Sequence, residues 1–542
     1  MSQHQAFRRM AVPQQVAQQL QTVTIPAPTR GLILNENETY MQPGGAVVLD
    51  NWRPTMKGIG LRGGCILWCQ LPETTPVISA FEYVSGSIHR IYAANATKVY
   101  DVSASIPIEV ASGRTSGNYV GSQLANASGD WLIAVNDAGN APLRFNGTDW
   151  EVITNAYVPP AGKPSTISNI PANGLTYVCK YRNRYFFIEK DSMNAWYLPL
   201  NSVGGALLNI PLSGAATKGG KLLFCASWSI DAGDGIDDKL VFATDQGELL
   251  IFTGGDPGVA ANWRQEGRYD VSPPLGMNAH IALGGDLLIA TVDGIVPTSG
   301  SITKSREELE LAAITRTIKP MWREEVLDKR EFHWTMCKWD EYGGLFTTFP
   351  GGPSGKYRCL ATNLATGAHA RYTGWDAMCF MRMRGDMFFG TQNGKIMQAD
   401  RGGYDDGRVY VATMVGGWEM FNTPSQTVTW RQARASFSAR AAEPFQPQMA
   451  ATTDYVIAIP TPPPVGPDPG ILDLWDEGLW DVALWDAGVA PKPVVRNTGW
   501  VSIGLTGYSH APIVQVSVGQ QAKPDVELIS IAATFERDGV NV

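Results

Sequence analysis

A chain of 542 residues exceeds what a single hydrophobic core usually holds, so two or three domains are expected. With 44% apolar and 17% charged residues the composition is that of a folded protein, and a net charge of −8 speaks against coating nucleic acid by phosphate neutralisation. The 57 glycines, 35 prolines and 10% aromatic content favour short strands broken by many turns, an all-β chain.

The first 28 residues are rich in glutamine and poor in large apolar groups, and read as an N-terminal arm that orders on a partner. Nothing here has the pattern of a signal peptide, and no 18-residue apolar run occurs in the chain, so no membrane-spanning segment is expected. Residues 30–64, "RGLILNENETYMQPGGAVVLDNWRPTMKGIGLRGG", form an extended segment punctuated by Pro-Gly and Gly-Gly turns.

From about residue 77 to 400 a loose repeat runs: a turn, an aliphatic or aromatic strand, a second turn, another short strand. Seven instances begin near Gly86, Gly129, Arg182, Asp237, Gly285, Gly343 and Gly385. A period of roughly 40–60 residues is that of a small antiparallel sheet, and such sheets bury their faces by stacking radially. The spacing predicts a β-propeller over 29–407, seven blades by count within a range of six to eight, the last closed by strands from the N-terminal segment. One stretch departs from the rhythm. Residues 305–327 place Ser305 and Glu308 at capping-box spacing, followed by an apolar stripe of Leu309, Ala312 and Ala313, with Pro320 to end or kink the helix. A helical insertion between two blades is predicted.

Residues 408–542 read as a second β-domain, a barrel or sandwich platform. Val514, Val516 and Val518, then Leu528, Ile529 and Ile531, carry the strand alternation. A polyproline loop, 459–470, interrupts it. After the loop, within 473–488, Leu-Trp-Asp recurs three times at five-residue spacing. Five residues advance a helix by about 500°, so Trp475, Trp480 and Trp485 would point three ways. On a continuous strand Trp480 would oppose the other two. The repeat needs turns, with Glu477-Gly478 the best placed. The rings either anchor a long loop to the platform or form a docking strip for a neighbouring subunit or fibre protein.

Catalytic chemistry has little footing. Ser229, Asp231 and Gly233 follow a Ser-x-Asp-x-Gly order, but Ile236 stands where an aromatic should close that hairpin motif. Asp231, Asp234, Asp237 and Asp238 cluster without EF-hand spacing and read as a solvated loop. "GGPSGK" at 351–356 lacks the leading glycine and the final Ser/Thr of a phosphate loop. Six histidines show no metal spacing, and His280 and His333 read as ordinary blade residues. Cys65, Cys69, Cys179, Cys225, Cys337, Cys359 and Cys379 form no CxxC pair and read as buried free thiols made in a reducing cytosol. No catalytic residue, no metal and no cofactor is expected.

Segment 30–64 resembles the opening of the tail nozzle proteins of short-tailed phages, the tail tubular protein B class. The matching positions are Gly31, Leu32, Met41, Pro43, Gly44, Ala46, Asn51, Trp52, Pro54, Arg62 and Gly64. The insertion "ITRTIKPMWREEV" and the ending 499–540 are similar to that family as well. The resemblance implies a virion structural protein, not an enzyme, with the propeller outside and the β-platform around a central channel. It implies a homo-oligomeric ring, six-fold, assembled in the host cytoplasm. That ring would carry DNA from the capsid, dock to a tail adaptor and meet tail fibres or spikes. An acidic wall suits such a conduit, because it repels passing phosphate. The alternative is a propeller that binds or cleaves carbohydrate in host recognition.

Overall fold

The structure, a computed structural model, describes residues 20–229, 238–304, 306–352, 355–421, 426–440, 445–466 and 493–537. It is all-β, with a propeller of six free-standing blades and a two-sheet platform. Blades one and two are the four-stranded meanders at 79–111 and 119–152, and three and four those at 175–211 and 222–270. Blade five has three strands, 280–297. The last blade takes three strands from 379–399 and its fourth, Cys65–Gln70, from the N-terminal segment. That strand closes the ring without leaving the first and last blades to part, the closure the sequence predicts.

All seven sequence repeats are strands in the structure, but the sixth is not a separate blade. Its meander, 336–372, fills the ring between the fifth and last blades, where Trp339 donates to the carbonyl of Gly385 at 2.7 Å. Its outer strand, His369–Tyr372, then pairs in parallel with Ala46–Asp50. The sheet continues through Tyr410–Gly416 and His510–Val518 to Pro447–Thr453, eight strands in all. Propeller and platform therefore share one sheet.

The second platform sheet has seven strands, built on the long pair Val428–Ala439 and Val526–Arg537. Trp430, Ala433, Phe437, Leu528 and Ile531 from this sheet and Met414, Met449, Val514 and Val516 from the other enter one core. The alternation expected through Leu528, Ile529 and Ile531 is broken at Ile529. Leu528 pairs with Phe437 and Ser530 with Ser436, so Ile529 is an extra, bulged residue. The bulge shifts the buried phase from Val526 and Leu528 to Ile531, Ala533 and Phe535. His510–Val518 is buried along its whole length, as a strand covered on both faces must be.

Three expectations need correction. Residues 20–28, placed in the arm, contain the strand Gln21–Pro26, which pairs with Val526–Arg537. Its Val23 and Ile25 reach the core and outweigh the glutamine-rich surroundings. Residues 46–61, grouped with the propeller, form platform strands. The insertion is three short helices, Thr298–Thr303, Arg306–Ala312 and Lys319–Leu327, separated in part by a 3-10 turn at Ile314–Ile318. The β-branched run Ile314, Thr315, Thr317 and Ile318 disfavours one continuous helix. Pro320 opens the last helix rather than ending one, since a first-turn residue needs no N–H partner. Ser305 lies outside the described residues. Trp322, fully buried, wedges this insertion between blade five and the meander, donating to Thr291 O at 3.0 Å. Among the described residues no helix is long and apolar enough to cross a membrane.

The closing strand tests the ring. Cys69 is buried in the seam between the last and first blades, whereas Leu67 is half exposed. Cys69→Asp should lower unfolding free energy by about 3 kcal/mol or more in urea titrations, and Leu67→Asp should change it by less than about 0.5 kcal/mol.

Candidate functional site

The chain passes from the shared eight-stranded sheet to the second platform sheet at Asn51, and the residues there are built for it. Ala46–Asp50 lies in the eight-stranded sheet and Trp52–Pro54 in the seven-stranded one, so the strand must turn at Asn51. Asn51 does so with φ +61°, the left-handed region that asparagine tolerates better than most residues. Its side chain is satisfied from both ends. Nδ2 donates to Val411 O at 2.7 Å and to Thr373 Oγ1 at 2.9 Å, while Oδ1 accepts from Thr373 N and from Arg62 Nε at 2.9 Å.

Arg62 is the centre of the joint and has no exposure. Nη1 and Nη2 donate to the two carboxylate oxygens of Asp405 at 2.8 and 2.6 Å, and Nη1 also reaches Gly63 O at 2.9 Å. The guanidinium lies 4.0 Å over the Tyr410 ring, with Tyr372 and Trp375 at 5.4 Å. Burial opposes its charge, but the Asp405 carboxylate outweighs this and raises its pKa. Tyr410 Oη donates to the Arg62 carbonyl. Beside this pair, Arg371 clamps Asp50 with two bonds of 2.7 and 2.8 Å across the parallel bridge.

Glycines seal the same region. At Gly31, φ is +72° and a Cβ would stand 2.5 Å from His369 O; at Gly64 it would stand 2.0 Å from Tyr404 O. Neither position has room for a side chain. His369 is fully buried and neutral, its Nδ1 bonded to Thr362 Oγ1 at 2.8 Å and its Nε2 to Ile314 O at 2.9 Å. Desolvation drives its pKa down to about 4.

The propeller axis is crossed by side chains. Asn118, at the start of blade two, accepts from Asn278 Nδ2 of blade five at 2.9 Å, and these blades face each other across the ring. Nearer the fourth blade, His280 stacks on Phe224 at 4.1 Å and 6°, and its Nε2 lies 3.1 Å from the Tyr177 hydroxyl of blade three. His280 too is pushed down to about 4 by burial. The propeller is a filled wheel at this level.

Two clefts open on its blade seams. One, of about 610 Å³ between blades two and three, is lined by Asn126, Ser128, Asn146, Lys163, Ser165 and Asn201. Two of its lining residues, Ser165 and Val203, accept through their carbonyls from the fully buried Arg144, which also donates to Glu151. The other, of about 670 Å³ between blades three and four, holds Arg182, Arg184, Arg264, Asp256 and Trp263.

The residues singled out from sequence are dispersed. Trp475, Trp480 and Trp485 lie outside the described residues, as do Asp231, Asp234 and Asp237. Asp238 is buried, and its carbonyl accepts from Tyr181 Oη at 2.7 Å. Gly351 and Gly355 press backbone on backbone, and Gly355 O accepts from Gln392 Nε2; Pro353 and Ser354 between them lie outside the described residues. Burial pushes the thiols of Cys65, Cys69, Cys337 and Cys379 up to about 12, which leaves them protonated and unreactive. His333, in the stretch before the meander, is also lowered by burial. Glu248 is a buried carboxylate against whose burial Lys218 N, Thr217 N and Arg268 act, holding it at about 2; it staples the link between blades three and four. Among the described residues no cluster of three His, Cys, Asp or Glu has metal-ligand geometry. Arg62 and Asn51 stand in the segment 30–64 singled out from sequence, while nothing near Asp405 marks it as their partner.

No protein-family model matches the chain, and no curated protein matches it. Among solved structures, it is similar to the computationally designed Ika8 protein at 9% identity and a TM-score of 0.33, over 62% of this chain and 99% of that one. It is also similar to BBS1N, solved in complex with ARL6DN and soaked with lead, at 9% identity and a TM-score of 0.36, over 62% and 97%.

Breaking the buried pair leaves an uncompensated charge. Arg62→Met should cost about 3–5 kcal/mol in urea unfolding, and Arg62→Met with Asp405→Leu should recover most of it. A second test concerns acid. The His369 pKa lies below its unfolded value of 6.5, so the unfolded chain takes up the proton first. Its contribution is complete above pH 6.5 and is lost by about pH 4. Thermal midpoints should fall across that window, and His369→Gln should flatten the fall.

Proposed function

We propose that the chain is a structural subunit of a short-tailed phage tail, a nozzle protein that assembles into a ring and conducts DNA. The observation that carries this reading is the location of the phage-like residues. Gly31, Asn51, Trp52, Arg62 and Gly64 all lie in the joint between propeller and platform, where each is required by backbone geometry or burial. The resemblance thus follows the construction that defines the architecture, rather than scattered turns.

Two further features support it. Because Asn118 and Asn278 bridge the propeller axis, duplex DNA would have to run between copies, with the platforms as the wall. The platform also ends in an edge that a monomer has little reason to keep. Val494–Asn497 and Val501–Gly507 pair end to end along one side of Val428–Ala439. They present Val494, Val495, Trp500 and Val501 to solvent, Val495 at 64% exposure. An exposed apolar edge of this kind recruits another strand or subunit. The net charge of −8 lets DNA slide past without sticking.

The carbohydrate reading rests on the polar cleft between blades two and three, with its three asparagines, Lys163 and three serines. A glycan array separates the two, since the nozzle reading expects no signal.

With its adaptor ring present, the protein should give a closed oligomer by mass photometry, with a duplex-wide channel in a particle reconstruction. Val495→Glu with Val501→Glu should leave a folded monomer and at least tenfold fewer rings. A wild-type protein that stays monomeric beside its adaptor, with no channel in the particle, overturns the proposal.

A further inference from the structure

The sulfurs of Cys179 and Cys225 stand 2.9 Å apart, closer than two unbonded sulfurs settle when nothing draws them together. Cys179 belongs to Leu175–Tyr181, the inner strand of blade three, and Cys225 to Leu222–Trp228, the inner strand of blade four. These are neighbouring blades, so a bond here would join sheets that otherwise meet only through side chains and single hydrogen bonds, such as Tyr181 to Asp238 O. Both residues face the same apolar cluster, with Tyr177, Phe224 and Leu240 around them. A disulfide S–S bond is about 2.0 Å long, so closing the gap takes a movement of less than about 1 Å.

We propose that Cys179 and Cys225 form an inter-blade disulfide when the folded protein leaves a reducing environment. The two thiols differ in access. Cys179 is partly exposed and Cys225 has no exposure, so an oxidant reaches Cys179 first. With a low-molecular-weight disulfide as oxidant, the Cys179 sulfur attacks one of its sulfurs, forming a mixed disulfide and expelling one thiolate. Cys225 then attacks the Cys179 sulfur, the Cys179–Cys225 bond forms, and the second small thiolate leaves. The two cysteine protons pass to the two thiolates, so two cysteines are oxidised and one small disulfide is reduced to two thiols. Burial raises the Cys225 thiol well above its ordinary range, which makes the second step slow unless the sulfurs are already in contact, as they are. The bond would close a loop across 46 positions of chain and restrict the unfolded state accordingly.

The other five cysteines serve as internal controls, being buried with thiols held protonated. Native full-length protein would be incubated with oxidised glutathione, quenched, unfolded, alkylated and mapped by peptide mass spectrometry. The expected result is a fall from seven alkylated cysteines to five, with Cys179 and Cys225 in one linked peptide pair. Dithiothreitol should restore all seven. The oxidised form should melt higher than the reduced one, and Cys179→Ser should show no such difference. Seven alkylated cysteines after oxidation, or links that pair other cysteines while circular dichroism stays native, overturn the proposal. The mapping needs only the wild-type chain, so it decides the matter even if Cys179→Ser folds poorly.

Discussion

A guanidinium sealed from water must be met by a carboxylate, and Arg62 is met by Asp405 from 343 positions further along the chain. That requirement shapes the molecule. It fixes the N-terminal segment against the stretch that leaves the last blade, and it holds three aromatic rings around the charge. Asn51 and Gly31 then turn the backbone through positions that few other residues accept. The joint's charged and amide groups are paired within the protein, while the indole N–H groups of Trp52 and Trp375 are buried without a partner. Asp50 and Arg371 extend the same logic across the parallel bridge, at the one point where propeller and platform strands exchange places in a sheet.

The propeller contributes stiffness of another kind. Its seams are filled by aromatic contacts, Phe81 with Tyr92 and Trp150 in blade one and two, Phe186 and Phe252 with Trp263 in three and four. Its axis is closed by polar and aromatic side chains from opposing blades. The accessible polar chemistry sits in surface clefts at the blade seams.

Much of the fold was legible because its signals are local. A turn followed by apolar strands repeats seven times, three times opening on Gly-Asp, and the repeats are strand hairpins in the structure. The closing strand was legible too, since a ring of sheets must be finished from one end of the chain. What was hidden depends on distance. Nothing in the composition of residues 336–372 tells a free blade from one whose outer strand is captured by Ala46–Asp50. The bulge at Ile529 looks in sequence like a lapse in alternation and is in fact a change of phase. The broken insertion could have been anticipated from its β-branched run, had Pro320 been taken as an opening residue. For the candidate site, Asn51, Trp52 and Arg62 stood out as motif positions, but Asp405, Thr373 and Tyr410 are unremarkable in sequence and matter only through contact. The tryptophan repeat stood out most and lies outside the described residues.

The pairing of Gln21–Pro26 with Val526–Arg537 joins the first described strand to the last. Ribosomal synthesis delivers Gln21–Pro26 long before Val526–Arg537, with the closing strand of the last blade waiting in between for residues 395–399. Blades two to four can collapse on local contacts as they emerge, whereas the ring must wait for residues 395–399 and the seven-stranded platform sheet for residues 526–537. Until then the strands at 21–26 and 65–70 expose unpaired edges, and how these are shielded during the interval governs whether the chain folds or aggregates.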